Sequence, residues 1–351
     1  MQQVQLYDDK LDFEENKSKG PFGDYANDEI YINDGKPKYD FFGIPVYSPF
    51  GIAAGPLPAT KFIKAALDKG YDIVTLKSVR TNTFPLNPYP QVRPVQVKGD
   101  LKLGTDVKIL VANSYTQPLA ITNSFGIPSV TPSEWQPIMR ESLKLPKKGQ
   151  ILLAAFQGTA RGKGREDFVN DHVKGVKLIR DTGAKVIEIN LSCPNEGEAV
   201  LACFDTDITE RIVNAVREAN PDLKFTIKTT YFTDHKQLKD LVKRVGNIVD
   251  GFGVINTIST SIIDKNGKEV YPGRPTAGVS GSPIKWAGLK MTSLLNQFRE
   301  EFGYKYKIMG MGGVLTPSDF HEYIKAGADT VMAVTGPMFN PKLAQEIKAS
   351  L

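Results

Sequence analysis

Cysteine is scarce in this sequence: two among 351 residues, Cys193 and Cys203. Two thiols cannot build a disulfide scaffold, and they fall short of the four ligands an iron–sulfur cluster needs. A reducing cytoplasm is the expected compartment. Long hydrophobic runs are missing too: none approaches the ~18 apolar residues that cross a membrane. The opening stretch MQQVQLYDDKLDFEENKSKG is polar and acidic, unlike a signal peptide or a membrane anchor. Charge of one sign is not concentrated anywhere. The net charge of +5 is spread over interspersed lysines and acids, which excludes the basic stripe of a nucleic-acid-binding surface. There is no low-complexity tract and no short sequence repeat. What remains, 41% hydrophobic and 24% charged, is ordinary globular composition, enough for one large domain or two small ones.

What is present is a repeat of pattern. Short apolar runs recur: FGIAAG (50–55), DIVTLKS (72–78), ILLAAF (151–156), VIEINLS (186–192), FTIKTT (225–230), GFGVINT (251–257), YKIMGMGG (306–313) and TVMAVTG (330–336). Near-continuous apolar runs suit strands buried on both faces of a parallel sheet. Helical patterns such as FVNDHVKGVKLIRDTG, ITERIVNAVREAN and PSDFHEYIKAGA separate several of them, with Thr209 and Ser318 as capping candidates. Eight strand–helix units predict an α/β fold, a closed (β/α)8 TIM barrel; an open doubly wound sheet is the competitor. Residues 1–40 form an N-terminal extension, and 41–351 the barrel domain. The segment PVYSPFG, at 45–51, looks like a short hairpin or plug. Residues 79–150 are too long for one helical connection, so a long insertion follows strand two and should lie over the C-terminal mouth, where such barrels hold their sites.

Polar residues gather at the ends of these runs. Strand two ends on Lys77 and Ser78. Strand four ends on Asn190, Ser192, Cys193 and Asn195. Strand five ends on Lys228, and strand six on Asn256 and Thr257. Any one of these is most often a satisfied core group; their coincidence at the same end of several strands points to a site. Gly310, Gly312 and Gly313 after strand seven, and Thr335 and Gly336 after strand eight, offer backbone N–H groups for a phosphate. AGVSGSPI (277–284) reads as a further glycine-rich loop for the same anion. Lysines within apolar runs need an anionic partner, so Lys77 and Lys228 suggest an anionic substrate or a cofactor that becomes anionic.

With these residues in place, the chain resembles the dihydroorotate dehydrogenases, FMN-dependent barrels of pyrimidine synthesis. NLSCPN is the most specific motif; TLKS, NPYP, NSFGIP, IKTT, INT, GVSGSPI and GMGG follow the family's pattern across about residues 40–345. The resemblance implies FMN-dependent oxidation of dihydroorotate to orotate. Cys193 would be the base that takes the C5 proton while the C6 hydride passes to flavin N5. A cysteine at this position resembles the soluble class 1 enzymes; the membrane-bound class 2 enzymes carry serine. The resemblance assigns substrate binding to Lys77, Asn190, Asn195, Asn256 and Thr257, and to Asn123 with Phe125, Gly126 and Ile127 above it. It assigns the flavin to Ala53, Ala54, Gly55, Lys77, Ser78, Asn190, Lys228 and Asn256, with Gly281, Gly312, Gly313, Thr335 and Gly336 at the phosphate. Three features depart from the pattern. Gln91 stands where arginine is usual, Thr335-Gly336 replaces Gly-Thr, and SVTPSEW follows NSFGIP.

Other flavin barrels share parts of this pattern. Dihydropyrimidine dehydrogenases carry a similar NLSCP motif and act on neutral uracil; tRNA dihydrouridine synthases pair a strand-four cysteine with a strand-five lysine. A non-catalytic flavin-binding scaffold would keep the glycines without needing Cys193 and both lysines. NSFGIP and the mild charge favour dihydroorotate. The acceptor stays open among fumarate, NAD and quinone. Fumarate implies a self-sufficient enzyme, often a homodimer, whereas NAD implies a separate subunit carrying FAD and an iron–sulfur cluster. No metal, nucleic-acid or membrane partner is expected.

Overall fold

A computed structural model describes residues 3–160, 164–192 and 201–351. Among them, eight parallel strands close into a barrel: β1 (Phe50–Ile52), β2 (Ile73–Thr75), β3 (Ile151–Phe156), β4 (Val186–Asn190), β5 (Lys224–Lys228), β6 (Gly251–Val254), β7 (Lys307–Met311) and β8 (Thr330–Ala333). Each pairs with the next in sequence, and β8 returns to β1 through Val331 opposite Phe50. These are the eight apolar runs of the sequence. All six residues of β3 and all five of β4 are buried, as strands covered by helices outside and side chains inside must be.

Helices follow the strands in turn, including Arg165–Arg180 after β3, Thr206–Ala219 after β4 and Pro317–Lys325 after β7. Their caps differ from the sequence expectation. Asp205, not Thr209, caps Thr206–Ala219 by accepting from the Ile208 N–H, and Thr209 Oγ1 donates to the Ala202 carbonyl instead. Thr316, not Ser318, caps Pro317–Lys325 and forms a capping box with Asp319. In each case a nearer oxygen precedes the helix and takes the free N–H groups first.

A hairpin plugs the base of the barrel, but it lies before the expected 45–51: only Pro45 and Val46 belong to it, and Phe50 and Gly51 already form β1. Strands Tyr39–Phe41 and Ile44–Val46 pair as a hairpin whose two turn residues, Phe42 and Gly43, both have positive φ (51° and 87°), the geometry of a tight two-residue turn. Phe41 and Val46 pack into the barrel interior against Ile73, Ile151, Val186 and Met309. Beside them lies a buried ion pair. Lys348 Nζ reaches Asp72 Oδ1 at 2.9 Å, the Gly70 carbonyl at 2.6 Å and Asn33 Oδ1 at 2.5 Å, and Ser48 Oγ donates to Asp72 Oδ2 at 2.7 Å.

The segment 79–150 folds into more than a loop. Its strands Val92–Gln96, Lys108–Val111 and Ala120–Asn123 join Ile258–Ile263 and Thr276–Gly281 in a second, five-stranded closed sheet. The stretch expected as a glycine-rich loop, AGVSGSPI, is therefore a strand followed by one turn of 3-10 helix (Ser282–Ile284). The small sheet sits beyond the C-terminal ends of β2 and β6. Residues 3–40 run along the side of the barrel from this mouth to the base. Gln5 N–H bonds to the Met338 carbonyl, and Tyr25 Oη to the Pro337 carbonyl. Buried Lys69 holds Asn27 Oδ1 and the Glu29 carbonyl.

Candidate functional site

A cleft opens at the C-terminal mouth, enclosing about 1270 Å³ including its open end. Its floor is made by strand ends: Ala53, Ala54 and Gly55 after β1, Lys77 and Ser78 after β2, Asn190 on β4, Lys228 on β5, Asn256 and Thr257 after β6, Gly312 and Gly313 after β7, and Thr335 after β8. Its far wall comes from the small sheet: Asn123, Phe125, Gly126, Ile127 and Gly281. Residues brought together from seven of the eight barrel strands, all but β3, thus include nearly every position singled out in the sequence. Gly336 lines an adjoining hollow with Gly313, Lys285 and Asn340, and an added Cβ there would lie 2.4 Å from the Val314 carbonyl oxygen. Cys193 and Asn195 lie outside the described residues.

The glycine cradle at one end has a steric reason. Gly281 has φ 94°, and a Cβ on it would lie 2.2 Å from the Leu119 carbonyl oxygen; Gly313 has φ 72°, and its Cβ would lie 2.9 Å from the Gly281 carbonyl oxygen. Only glycine lets these two backbones approach and keep both amides by the cleft.

The asparagines are organised by Ser192. Asn190 Oδ1 accepts from the Ser192 N–H (3.2 Å) and Oγ–H (2.9 Å), while Asn256 Nδ2 donates to Ser192 Oγ (3.0 Å). Asn256 Oδ1 accepts from the Thr257 N–H at 2.8 Å, which orients the amide. Lys77 is only partly buried, and its ammonium lies 5.1 Å from the Phe125 ring centre and 5.4 Å from that of Phe13. Lys228 is buried, and its anionic partner comes from the chain itself: Glu188, two residues before Asn190, at 3.5 Å.

The loop over the cleft, Ser124–Ile127, is tied from three sides. Gln91 accepts the Ser124 N–H through its carbonyl, and its side chain donates to the Asn87 carbonyl. Arg274 donates to the Ser124 and Pro88 carbonyls. Arg80, fully buried, donates to the Ile127 and Gly158 carbonyls, both at 2.9 Å. Below Gly158 sits His172, sealed between Phe156 and Phe168. Its Nδ1 lies 2.8 Å from the Phe168 carbonyl oxygen, and burial pushes its pKa down to about 4. Cys203 is buried away from the cleft, its thiol pushed up to about 12 by burial, as befits a structural cysteine.

Sequence reading missed Glu188, Tyr7, Arg80 and Arg274. Glu188 carried a signal, since strand alternation puts it on the same side as Asn190. Tyr7 did not; it reaches the cleft from the extension, its hydroxyl donating to the Pro56 carbonyl at 2.8 Å.

Comparison with known proteins agrees with this geometry. The family model described as dihydroorotate dehydrogenase matches residues 113–351. The chain is 31% identical to the dihydroorotate dehydrogenase of Dictyostelium discoideum, over 97% of this chain and 96% of that one. It is 26% identical to the dihydroorotate dehydrogenase B (NAD(+)) catalytic subunit of Methanocaldococcus jannaschii, over 85% and 86%. Its fold is similar to that of the Eimeria tenella enzyme solved with ferulenol, with a TM-score of 0.69, 18% identity and coverage of 90% of this chain and 83% of that chain. A family match over two thirds of the chain, with near full-length similarity to the Dictyostelium enzyme, means that the chain belongs to the dihydroorotate dehydrogenase family.

Proposed function

We propose that the cleft carries out the family's reaction, FMN-dependent oxidation of dihydroorotate to orotate in pyrimidine biosynthesis, with its residues in the following roles. The observation that carries the assignment is the convergence of Lys77, Asn190, Lys228 and Asn256 on one cleft roofed by Ser124–Ile127. The cleft fits FMN in its chemistry. Gly281, Gly312, Gly313 and Thr335 offer close backbone for a phosphate at one end. Lys228 offers a cation, and Ala53, Ala54, Gly55 and Ser78 offer small side chains against a flat ring. FMN supplies the hydride acceptor.

The protein's own work is to orient the substrate and move a proton. Asn190 and Asn256, locked by Ser192 and Thr257, present amides to a planar pyrimidine. Asn123 and the Phe125–Ile127 backbone cover it, and Lys77 supplies a cation for its carboxylate. Asn195 completes the ring contacts, and Cys193 takes the C5 proton; both assignments rest on the NLSCPN motif. A thiol has an ordinary pKa of ~8.5, so modest tuning populates its thiolate near neutrality.

The protein should be purified yellow and be bleached by dihydroorotate without oxygen. Bleaching by dihydrouracil instead would move the assignment to the dihydropyrimidine enzymes. Cys193→Ser should slow flavin reduction roughly 10²–10⁴-fold at neutral pH with FMN still bound; unchanged kinetics would sink the base assignment. The similarity to a catalytic subunit named for NAD(+) supports NAD as acceptor, delivered through a second subunit with FAD and an iron–sulfur cluster. Reoxidation of the isolated chain by fumarate, with the chain working as a self-sufficient homodimer, is the contrary outcome of an anaerobic test against fumarate, NAD and quinone.

A further inference from the structure

We infer that Glu188 is a positioning residue: it holds the Lys228 ammonium and thereby sets how strongly the cleft stabilises negative charge on the FMN ring. The inference rests on the FMN assignment above. Lys228 closes β5 opposite Asn190, while Glu188 pairs with Thr226 one pleat deeper. The ammonium therefore leans back into the barrel to meet the carboxylate at 3.5 Å. The two side chains are 6% and 2% exposed, and Met309 and Met311 surround the same spot on β7. Gly253 on β6 borders the pair: a Cβ there would lie at ordinary contact distance, 3.5 Å, from Glu188 Oε2.

In so apolar a setting each charge is felt strongly. The pair is neutral as a unit, so a flavin that gains negative charge on two-electron reduction meets a lysine already half-compensated. The long 3.5 Å contact leaves the ammonium free to be shared between carboxylate and ring. Removing the carboxylate's charge should make reduction easier, because the ammonium is then left to the ring alone.

The test is an equilibrium redox titration of FMN-loaded protein against a reference dye, with no dihydroorotate present. Glu188→Gln should shift the reduced-to-oxidised ratio at fixed poise at least tenfold toward reduced, a rise of about 30 mV for a two-electron couple. Lys228→Met should shift it the other way. In the Lys228→Met background the effect of Glu188→Gln should fall below about threefold, because the carboxylate acts through the lysine. A wild-type potential in Glu188→Gln overturns the inference, and so does a full tenfold shift that persists without Lys228. Where Glu188→Gln does not fold, Glu188→Asp, which shortens the reach, should give a smaller shift in the same direction, and no shift overturns the inference equally. A protein that binds FMN but is not bleached by dihydroorotate would sink the substrate assignment and leave this comparison standing.

Discussion

Among the described residues the barrel carries two buried lysine–carboxylate pairs, one at each end, and they are built differently. At the base, Lys348 and Asp72 are 8% and 0% exposed, and the ammonium has an acceptor for each of its three protons within 2.9 Å. At the mouth, Lys228 and Glu188 are just as buried, yet they meet once, at 3.5 Å, and the lysine lines the cleft. Burial alone does not mark a functional charge. What marks it is a donor that the described residues engage only once, facing the cleft. The saturated pair anchors the extension, since Asn33 belongs to it; the looser one, on the proposed FMN assignment, would answer to the cofactor.

The sharpest way to break this contrast is Lys348→Met. It strands Asp72, whose carboxyl burial already holds above the usual range, and should cost about 3–5 kcal/mol in urea unfolding while the folded fraction keeps its flavin potential. A changed potential would mean that the base pair also speaks to the site. Next in size is His172, a titratable group sealed between Phe156 and Phe168 and governed mainly by its burial. Its pKa of about 4 lies below the ordinary ~6.5, so the neutral form is favoured by folding. That contribution is whole above pH ~6.5 and is lost as pH falls through 4, worth about 3 kcal/mol. Unfolding midpoints from pH 7 to 4 should fall more steeply in the wild type than in His172→Phe; parallel curves would refute the assignment.

A third variant separates stability from function at the mouth. Replacing both members, Glu188→Gln with Lys228→Met, should return stability to within about 1 kcal/mol of the wild type, because no lone buried charge remains. Flavin reduction by dihydroorotate should nonetheless stay at least tenfold slow, about 1.4 kcal/mol of lost stabilisation. At the base, Asp72→Asn with Lys348→Met should recover stability and rate together. Recovery of the rate at both ends would erase the distinction.

The barrel was legible because eight apolar runs, each buried on two sides, leave a pattern that needs no long-range information. The mouth was legible because polar residues interrupt those runs at the same end. The small sheet was not: its strands are short and broken by Pro94 and Gly278, and they pair across more than a hundred residues, as Asn123 does with Gly278. Lys228's partner escaped because an acid inside VIEIN belongs by pattern to its own strand and not to the lysine that ends the next. The extension escaped for another reason. Tyr7 and Phe13 carry no local pattern that distinguishes a cleft wall from any buried aromatic.

Phe13 offers the finest test, since residues 3–40 touch both ends and only this part should matter to chemistry. The ring is buried at the start of the helix Phe13–Lys19, whose first turn is fixed by an Asp12–Glu15 capping box. It meets Phe125 edge-on at 5.8 Å, and the Lys77 ammonium lies by both rings. A cation beside an aromatic face gains about 0.5–1 kcal/mol where, like the half-buried Lys77, it keeps contact with water. Leucine keeps the apolar bulk and removes the face; tyrosine keeps the face. Phe13→Leu should therefore raise KM for dihydroorotate about two- to fivefold with helix content unchanged, and Phe13→Tyr should not. Equal KM values for the two variants would reduce Phe13 to packing, and would place the extension's whole contribution with the saturated pair at the base.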